Sequence, residues 1–121
     1  MIIKNALVGG ELKNIHIEDG IITKITDACD IDADIDAKNL RVIPGLIEVH
    51  SHGCIGLDTM DAEFEKMCLF YAENGTTSWL PTTMTMGYDD LMKVVNARTD
   101  YKGTNILGFH FEGPYISEKY K

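Results

Sequence analysis

Residues 42–53 read VIPGLIEVHSHG, and this stretch determines how the whole chain is interpreted. A Pro-Gly pair at 44–45 separates two apolar, β-favouring runs. Residues two apart in a strand point to the same face, so His50 and His52 direct two imidazoles towards one point. Gly53 then lets the backbone turn away. Two imidazoles in this arrangement suit a divalent metal such as zinc, although a lone His-x-His pair is often structural.

Helical periodicity follows this stretch. One apolar stripe recurs at i, i+3, i+4, i+7 and i+8 and predicts a helix, with the members Phe64, Met67, Cys68, Tyr71 and Ala72. Asp61 is expected to cap the start of this helix, and Asn74-Gly75 to end it. A second helix is predicted to begin near Tyr88 and to bury Leu91, Val94 and Val95.

Strand patterns alternate with the two helices. We predict strands at 46–50, at 77–80 with Pro81 closing it, and at 106–111. The order β-α-β-α-β is typical of a parallel sheet, so residues 45–121 are expected to form an α/β unit.

The first 44 residues have a different character. Gly9-Gly10 and Asp19-Gly20 are turn signals between short apolar runs, which predicts a meander of antiparallel strands. Residues 40–43 also favour a strand. Residues 30–36 read DIDADID and resemble the start of a calcium loop. However, Ile and Arg stand at 35 and 41, where such a loop needs Gly and Glu, so we interpret the segment as an acidic loop or strand edge.

A second chemical motif, FHFEGP, occupies residues 109–114. His110 and Glu112 share one face of the predicted strand, and Gly-Pro ends it at once. A carboxylate at the end of a buried strand is costly unless it is paired or binds a metal, which makes Glu112 the candidate third ligand. Amides of the Gly-Pro turn could instead hold Glu112, and a packing or supporting role suits His110 at least as well as ligation.

Two further features carry weaker signals. Residues 81–85, PTTMT, cluster hydroxyls that could bind a ligand but more often satisfy turn backbone. Cys54 could supply a thiolate ligand, although a small packed thiol is the simpler interpretation.

Composition limits the class of protein. The chain has 121 residues and a net charge of −8, which disfavours binding to nucleic acid or anionic membranes. Three irregularly spaced cysteines do not suggest a disulfide framework and favour a reducing cytoplasm. No signal peptide or membrane-spanning run is evident. A complete (β/α)₈ barrel needs about 250 residues and does not fit this length.

Three stretches together resemble the amidohydrolase superfamily: residues 42–53, 75–82 (GTTSWLPT) and 108–116 (GFHFEGPYI). The first is similar to that superfamily's first barrel strand, and the other two resemble its N-acetylglucosamine-6-phosphate deacetylase family. This resemblance covers the whole chain. It implies the first three strands and two helices of a TIM-like barrel over residues 45–121, preceded by part of a small β-sandwich domain in residues 1–44.

The resemblance also implies a chemistry. Members of the family are metal-dependent hydrolases that convert N-acetylglucosamine 6-phosphate to glucosamine 6-phosphate and acetate. Zinc or iron activates a water and polarises the acetamide carbonyl, while an aspartate acts as base and then protonates the amine. Glu112 carries over as the metal ligand shared across the family. His50 and His52 carry over as ligands of a second metal position that some members possess.

Other residues of the family pattern are missing from residues 1–121. They are two later histidines, the catalytic aspartate and the phosphate-binding residues, so no catalytic residue is assigned and the aspartate is expected beyond Lys121. We therefore expect an N-terminal third of a cytoplasmic, homo-oligomeric enzyme of amino-sugar metabolism, inactive alone. Two alternatives remain open: another amidohydrolase, such as a dihydroorotase or an amino-acid deacetylase, or a non-catalytic metal-binding module that self-associates through an open sheet edge.

Overall fold

Two units divide the chain after Pro44 in the computed structural model, which describes residues 1–120. The first unit is a four-stranded sheet in the order β3-β2-β1-β4. Its strands are β1 (Ile2–Val8), β2 (Glu11–Glu18), β3 (Ile21–Asp27) and β4 (Ile35–Asp36). β1, β2 and β3 pair antiparallel, as the turn signals predict, and β4 pairs parallel to β1.

The predicted strand at 40–43 is wrong. Arg41 alone forms a parallel bridge to Leu7, flanked by backbone hydrogen bonds of Leu7 with the residues on either side of Arg41. The pairing stays short because Asn39 turns the chain with a φ of +65° and Pro44 has no N–H to donate.

The acidic segment at 30–36 is tied to β1 by its carboxylates. Asp34 Oδ2 accepts a hydrogen bond from the Ile2 amide at 2.6 Å. Asp36 Oδ1 accepts from the Asn5 side chain at 3.0 Å and from the Lys38 amide at 2.9 Å, and these bonds lower the pKa of Asp36. These two carboxylates therefore serve as acceptors that fix the loop.

The second unit alternates strands and helices as predicted. Its elements are β5 (Leu46–Ser51), β6 (Gly53–Cys54), β7 (Leu57–Asp58), a 3₁₀ turn (Thr59–Asp61), α1 (Phe64–Glu73), β8 (Thr76–Thr83), α2 (Tyr88–Val95), β9 (Asn105–Ile106), β10 (His110–Phe111) and a last 3₁₀ turn (Glu118–Tyr120). β8 lies at the centre of the main sheet. It pairs parallel with β5 on one side and with β9 and β10 on the other, while β6 and β7 form a small hairpin.

Three details of this unit correct the prediction. Asp61 does not cap α1, because its carboxylate closes a reciprocal capping box with Asp58 around the preceding 3₁₀ turn. Pro81 does not close its strand, since β8 continues to Thr83. The predicted strand at 106–111 is interrupted, and its two pieces, β9 and β10, pair with the same neighbour, β8.

The helical stripe forms most of the core. Phe64, Met67 and Cys68 of α1 pack with Trp79 of β8 and Val94 of α2, and these five side chains are fully buried. Tyr71 is half-buried against this cluster, whereas Ala72 is exposed, so the buried stripe is narrower than predicted. No helix within the described part of the chain is long and apolar enough to cross a membrane.

β5 forms an edge of the main sheet. Leu46, Ile47 and Val49 are each more than half exposed along it. An exposed apolar edge strand is prone to pair with another chain. The predicted self-association rests on this edge and stays a prediction.

Candidate metal centre

Three side chains converge at the carboxyl end of the main sheet. His50 and His52 lie at the end of β5, and Glu112 directly follows β10. Glu112 Oε2 is 3.0 Å from His52 Nε2 and 3.3 Å from His50 Nε2. One ligand atom from each residue lies within 4.8 Å of the others, and Glu112 and both histidines are partly open to solvent.

Parallel pairing explains this convergence. Ser51 is in register with Pro81 of β8, and His110 is in register with Thr82, so β5 and β10 end at the same level. Strands separated by one neighbour lie roughly 10 Å apart in a sheet. The side chains of His50 and Glu112 span this gap because both reach over the end of β8.

A hydrogen bond assigns the tautomer of His52. Its Nδ1 lies 3.2 Å from the carbonyl oxygen of Thr82, which can only accept. Nδ1 therefore carries a proton, and whenever the ring holds only that one, Nε2 presents a lone pair. Anchoring one ring nitrogen on a backbone carbonyl is how proteins commonly orient a metal-binding histidine.

This tautomer places two electron-rich atoms face to face. The Nε2 lone pair of His52 meets the Glu112 carboxylate at 3.0 Å, which is unfavourable unless positive charge lies between or beside them. A proton or a metal ion satisfies both atoms. Ligand atoms about 2.1 Å from a tetrahedral zinc lie about 3.4 Å apart, and the two distances from Glu112 Oε2 to the histidine nitrogens, 3.0 and 3.3 Å, are close to that spacing.

His110 has a supporting position. Its Nδ1 lies 2.7 Å from the Val49 carbonyl oxygen, and its ring centroid is 4.6 Å from that of His50. These contacts connect β10 to β5 beside the ligands and restrict the His50 ring.

Two of the three hydroxyls at 81–85 bond to the backbone, whereas that of Thr83 is buried without a partner among the described residues. Thr82 Oγ1 accepts from the Ser51 amide at 3.0 Å, and Thr85 donates to the Glu112 carbonyl at 3.1 Å. The Glu112 carboxylate itself faces the two histidines. Cys54 packs against the core near Tyr71 and is outside the ligand group found within residues 1–120.

Several residues that hold the site were not predicted from the sequence. Glu48 Oε1 accepts from the His50 amide at 2.8 Å, and the same period of two that relates His50 to His52 could have indicated it. Contacts of Ser51 with Tyr71 and Trp79 have no local signal, because these residues come from three different elements.

The three thiols predict an order of reactivity. Cys29 is exposed, Cys54 is half-buried and Cys68 is buried. Burial raises the pKa of Cys54, and raises the pKa of Cys68 to about 11. Only the thiolate reacts, so a raised pKa leaves less of the reactive form near pH 8. We expect iodoacetamide to modify Cys29 fastest and Cys68 slowest, as mapped by mass spectrometry. Equal rates in the folded chain would contradict the burial pattern, and denaturant should equalise them.

Comparisons with known proteins point to one group of enzymes. No protein-family model matches the chain. It is 35% identical to N-acetylglucosamine-6-phosphate deacetylase of Bacillus subtilis over 98% of its length. The solved structure of N-acetylglucosamine-6-phosphate deacetylase from Thermotoga maritima superposes with a TM-score of 0.79 at 31% identity, covering 98% of the chain. The chain matches the N-terminal part of the N-acetylglucosamine-6-phosphate deacetylases.

The match to these deacetylases covers part of their length. The chain spans 32% of the Bacillus subtilis deacetylase and 34% of the Thermotoga maritima chain. A further relative, N-acetylgalactosamine-6-phosphate deacetylase of Escherichia coli O157:H7, is 32% identical over 88% of this chain and 30% of its own length. The mixed α/β architecture of the chain is thus shared with deacetylases.

Proposed function

We propose that the chain is the metal-binding N-terminal part of a hydrolase that removes the acetyl group from N-acetylglucosamine 6-phosphate. The convergence of His50, His52 and Glu112 at the carboxyl ends of parallel strands supports this function, because barrel enzymes place their active sites there. In this proposal the main sheet is the start of a (β/α) barrel, and Met1–Pro44 is part of a small β-sandwich domain. The enzyme would act on amino sugars in the cytoplasm as a homo-oligomer.

Each site residue has a role in the proposed chemistry. A zinc or iron ion bound here would supply Lewis acidity for the acetamide carbonyl and an activated water. His50 and His52 would offer Nε2, and Glu112 would offer a carboxylate oxygen. Thr82 holds His52 in the tautomer that leaves Nε2 free, and Glu48 holds the backbone at His50.

The resemblance places the family's base and phosphate-binding residues outside residues 1–121. We therefore expect the chain alone to release no acetate from N-acetylglucosamine 6-phosphate in the presence of zinc, whereas it should still bind the ion. Acetate is measured by a coupled assay. Sustained turnover by the isolated chain would contradict this expectation.

A chimera tests the competence of the site itself. Residues 1–120 would replace the matching part of the Bacillus subtilis deacetylase, with the remaining two thirds of that enzyme unchanged. We expect acetate release from the chimera and none from its Glu112→Gln version. A folded, zinc-loaded chimera without activity would argue against the proposed function.

The galactosamine epimer is a second candidate substrate. The Escherichia coli relative named for N-acetylgalactosamine 6-phosphate is nearly as similar to this chain as the Bacillus subtilis deacetylase, which is why this candidate is retained. The two sugars share the acetamide and the phosphate and differ at one hydroxyl. Assaying both with a full-length protein that carries this chain separates the candidates.

A further inference from the structure

We infer that a chain of hydrogen bonds from Trp79 through Ser51 to Tyr71 positions the His50–Gly53 segment for metal binding, an inference that rests on the proposed function. Trp79 Nε1 lies 2.9 Å from Ser51 Oγ, and Ser51 Oγ lies 2.7 Å from the Tyr71 hydroxyl oxygen. The Tyr71 hydroxyl in turn lies 3.4 Å from the Gly53 carbonyl oxygen. None of these groups ligates the metal, so Ser51, Tyr71 and Trp79 act as positioning residues.

The segment needs support from side chains. β5 is an edge strand, and its register with β8 is interrupted between Glu48 and Ser51. Pro81, the partner of Ser51 in β8, has no N–H to donate to a ladder. Backbone pairing therefore weakens at the point where His50 and His52 must be held.

Counting donors and acceptors fixes the direction of these hydrogen bonds. The indole N–H of Trp79 can only donate, so Ser51 Oγ accepts it. The Gly53 carbonyl can only accept, so it takes the single hydrogen of the Tyr71 hydroxyl, and Ser51 Oγ therefore donates its own hydrogen to the Tyr71 oxygen. Burial raises the pKa of Tyr71, so the hydroxyl keeps its proton in neutral solution. Every hydrogen is used once, and bonds linked in this way strengthen one another.

These hydrogen bonds hold both neighbours of His52, namely Ser51 and Gly53. Ser51 is held by its side chain and also by its amide, which donates to Thr82 Oγ1 at 3.0 Å. Gly53 is held at its carbonyl, and His52 itself is anchored on the Thr82 carbonyl. The first anchor in this chain, Trp79, is fully buried and packs its ring 4.7 Å from that of Tyr71. The ligand segment is thereby fastened to the rigid core of the unit.

Two hydroxyl deletions test the inference in the 121-residue chain. Ser51→Ala and Tyr71→Phe remove one link each, and we expect each to weaken cobalt binding by about tenfold, since supporting contacts are typically worth about 10- to 100-fold in metal affinity. Absorption of the bound cobalt ion reports both affinity and ligand geometry. Without metal, hydrogen exchange of the backbone amide at position 51 should accelerate by about tenfold in both variants.

Matched variants separate positioning from general destabilisation. Tyr88→Phe removes a tyrosine hydroxyl from a side chain that is 75% exposed and should change neither measurement. Ser51→Thr retains the hydroxyl and should restore most of the cobalt affinity lost in Ser51→Ala. Trp79 is the single tryptophan, so its indole proton is resolved in NMR spectra and should exchange faster in Ser51→Ala.

The outcomes distinguish this inference from the proposed function. Wild-type cobalt affinity and wild-type Ser51 exchange in both deletion variants would overturn the inference. A uniform rise of exchange along β8 would also overturn it, because it would mean a loss of global stability. If the wild-type chain binds no cobalt, the metal site is refuted, and unchanged exchange at Ser51 then refutes positioning as well.

Discussion

Replacing Glu112 with glutamine is expected to weaken zinc or cobalt binding by about 100-fold or more. The substitution keeps the size of the side chain but removes the anionic member of the three-residue group. Two neutral imidazoles are then left to bind the ion, and loss of a charged ligand removes the strongest electrostatic contribution. Isothermal titration calorimetry of the wild-type and variant chains measures the difference.

Glu73, which is outside the candidate ligand group, provides a control for this prediction. Glu73→Gln makes the same change of charge at the end of α1, where the side chain is exposed, and should leave metal affinity unchanged. Circular dichroism of both variants checks that the fold is retained. Unaltered affinity in Glu112→Gln, with both variants folded, would place the bound ion elsewhere in the chain.

Replacing Gly53 with alanine is expected to damage both the fold and the site. Gly53 has a φ of +132°, and an added Cβ would overlap the Leu57 carbonyl oxygen across the β6–β7 hairpin. Backbone strain and overpacking each cost about 1–3 kcal/mol, so we expect the free energy of unfolding to fall by about 3 kcal/mol or more. The turn directly follows His52, so metal binding should be lost with it.

Gly56→Ala is the matched comparison within the same hairpin. Gly56 also has a positive φ, +78°, but a Cβ there meets open space. Only the strain term remains, and we expect a loss of about 1 kcal/mol. Denaturant unfolding followed by the fluorescence of Trp79 measures both variants. Equal losses would show that overlap with Leu57 contributes nothing.

The convergence of the ligand residues could be anticipated from two simple rules. A period of two puts His50 and His52 on one face of a strand, and parallel order brings Glu112 to the same edge of the sheet. Both rules use only local spacing and the order of elements. Local spacing is also why the stripe of α1 was predicted correctly from Phe64 to Tyr71.

The wrong predictions concern residues for which the neighbouring sequence allows two roles and does not decide between them. Asp61 is the last residue of the 3₁₀ turn and also lies just before α1, so its carboxylate could serve either element, and only its partner Asp58 decides between them. Pro81 is normally a strand breaker, yet β8 continues through it to Thr83, and beside it Thr82 Oγ1, rather than a ladder group, accepts the amide hydrogen of Ser51. A side chain that takes the place of a backbone hydrogen-bond partner depends on tertiary contacts, which a short stretch of sequence does not contain.

The wide sequence separation of the candidate ligands would link metal occupancy to folding. His50 and Glu112 are 62 residues apart, and most of the second unit lies between them. An unfolded chain would have to close that loop before both could bind, so an ion selects the folded form and raises its apparent stability by mass action. By the same linkage, a core substitution that raises the unfolded fraction lowers the apparent metal affinity in proportion to the folded fraction that remains. Metal affinity in this chain would therefore measure how completely residues 50–112 are folded, as well as how well the three candidate ligands hold the ion.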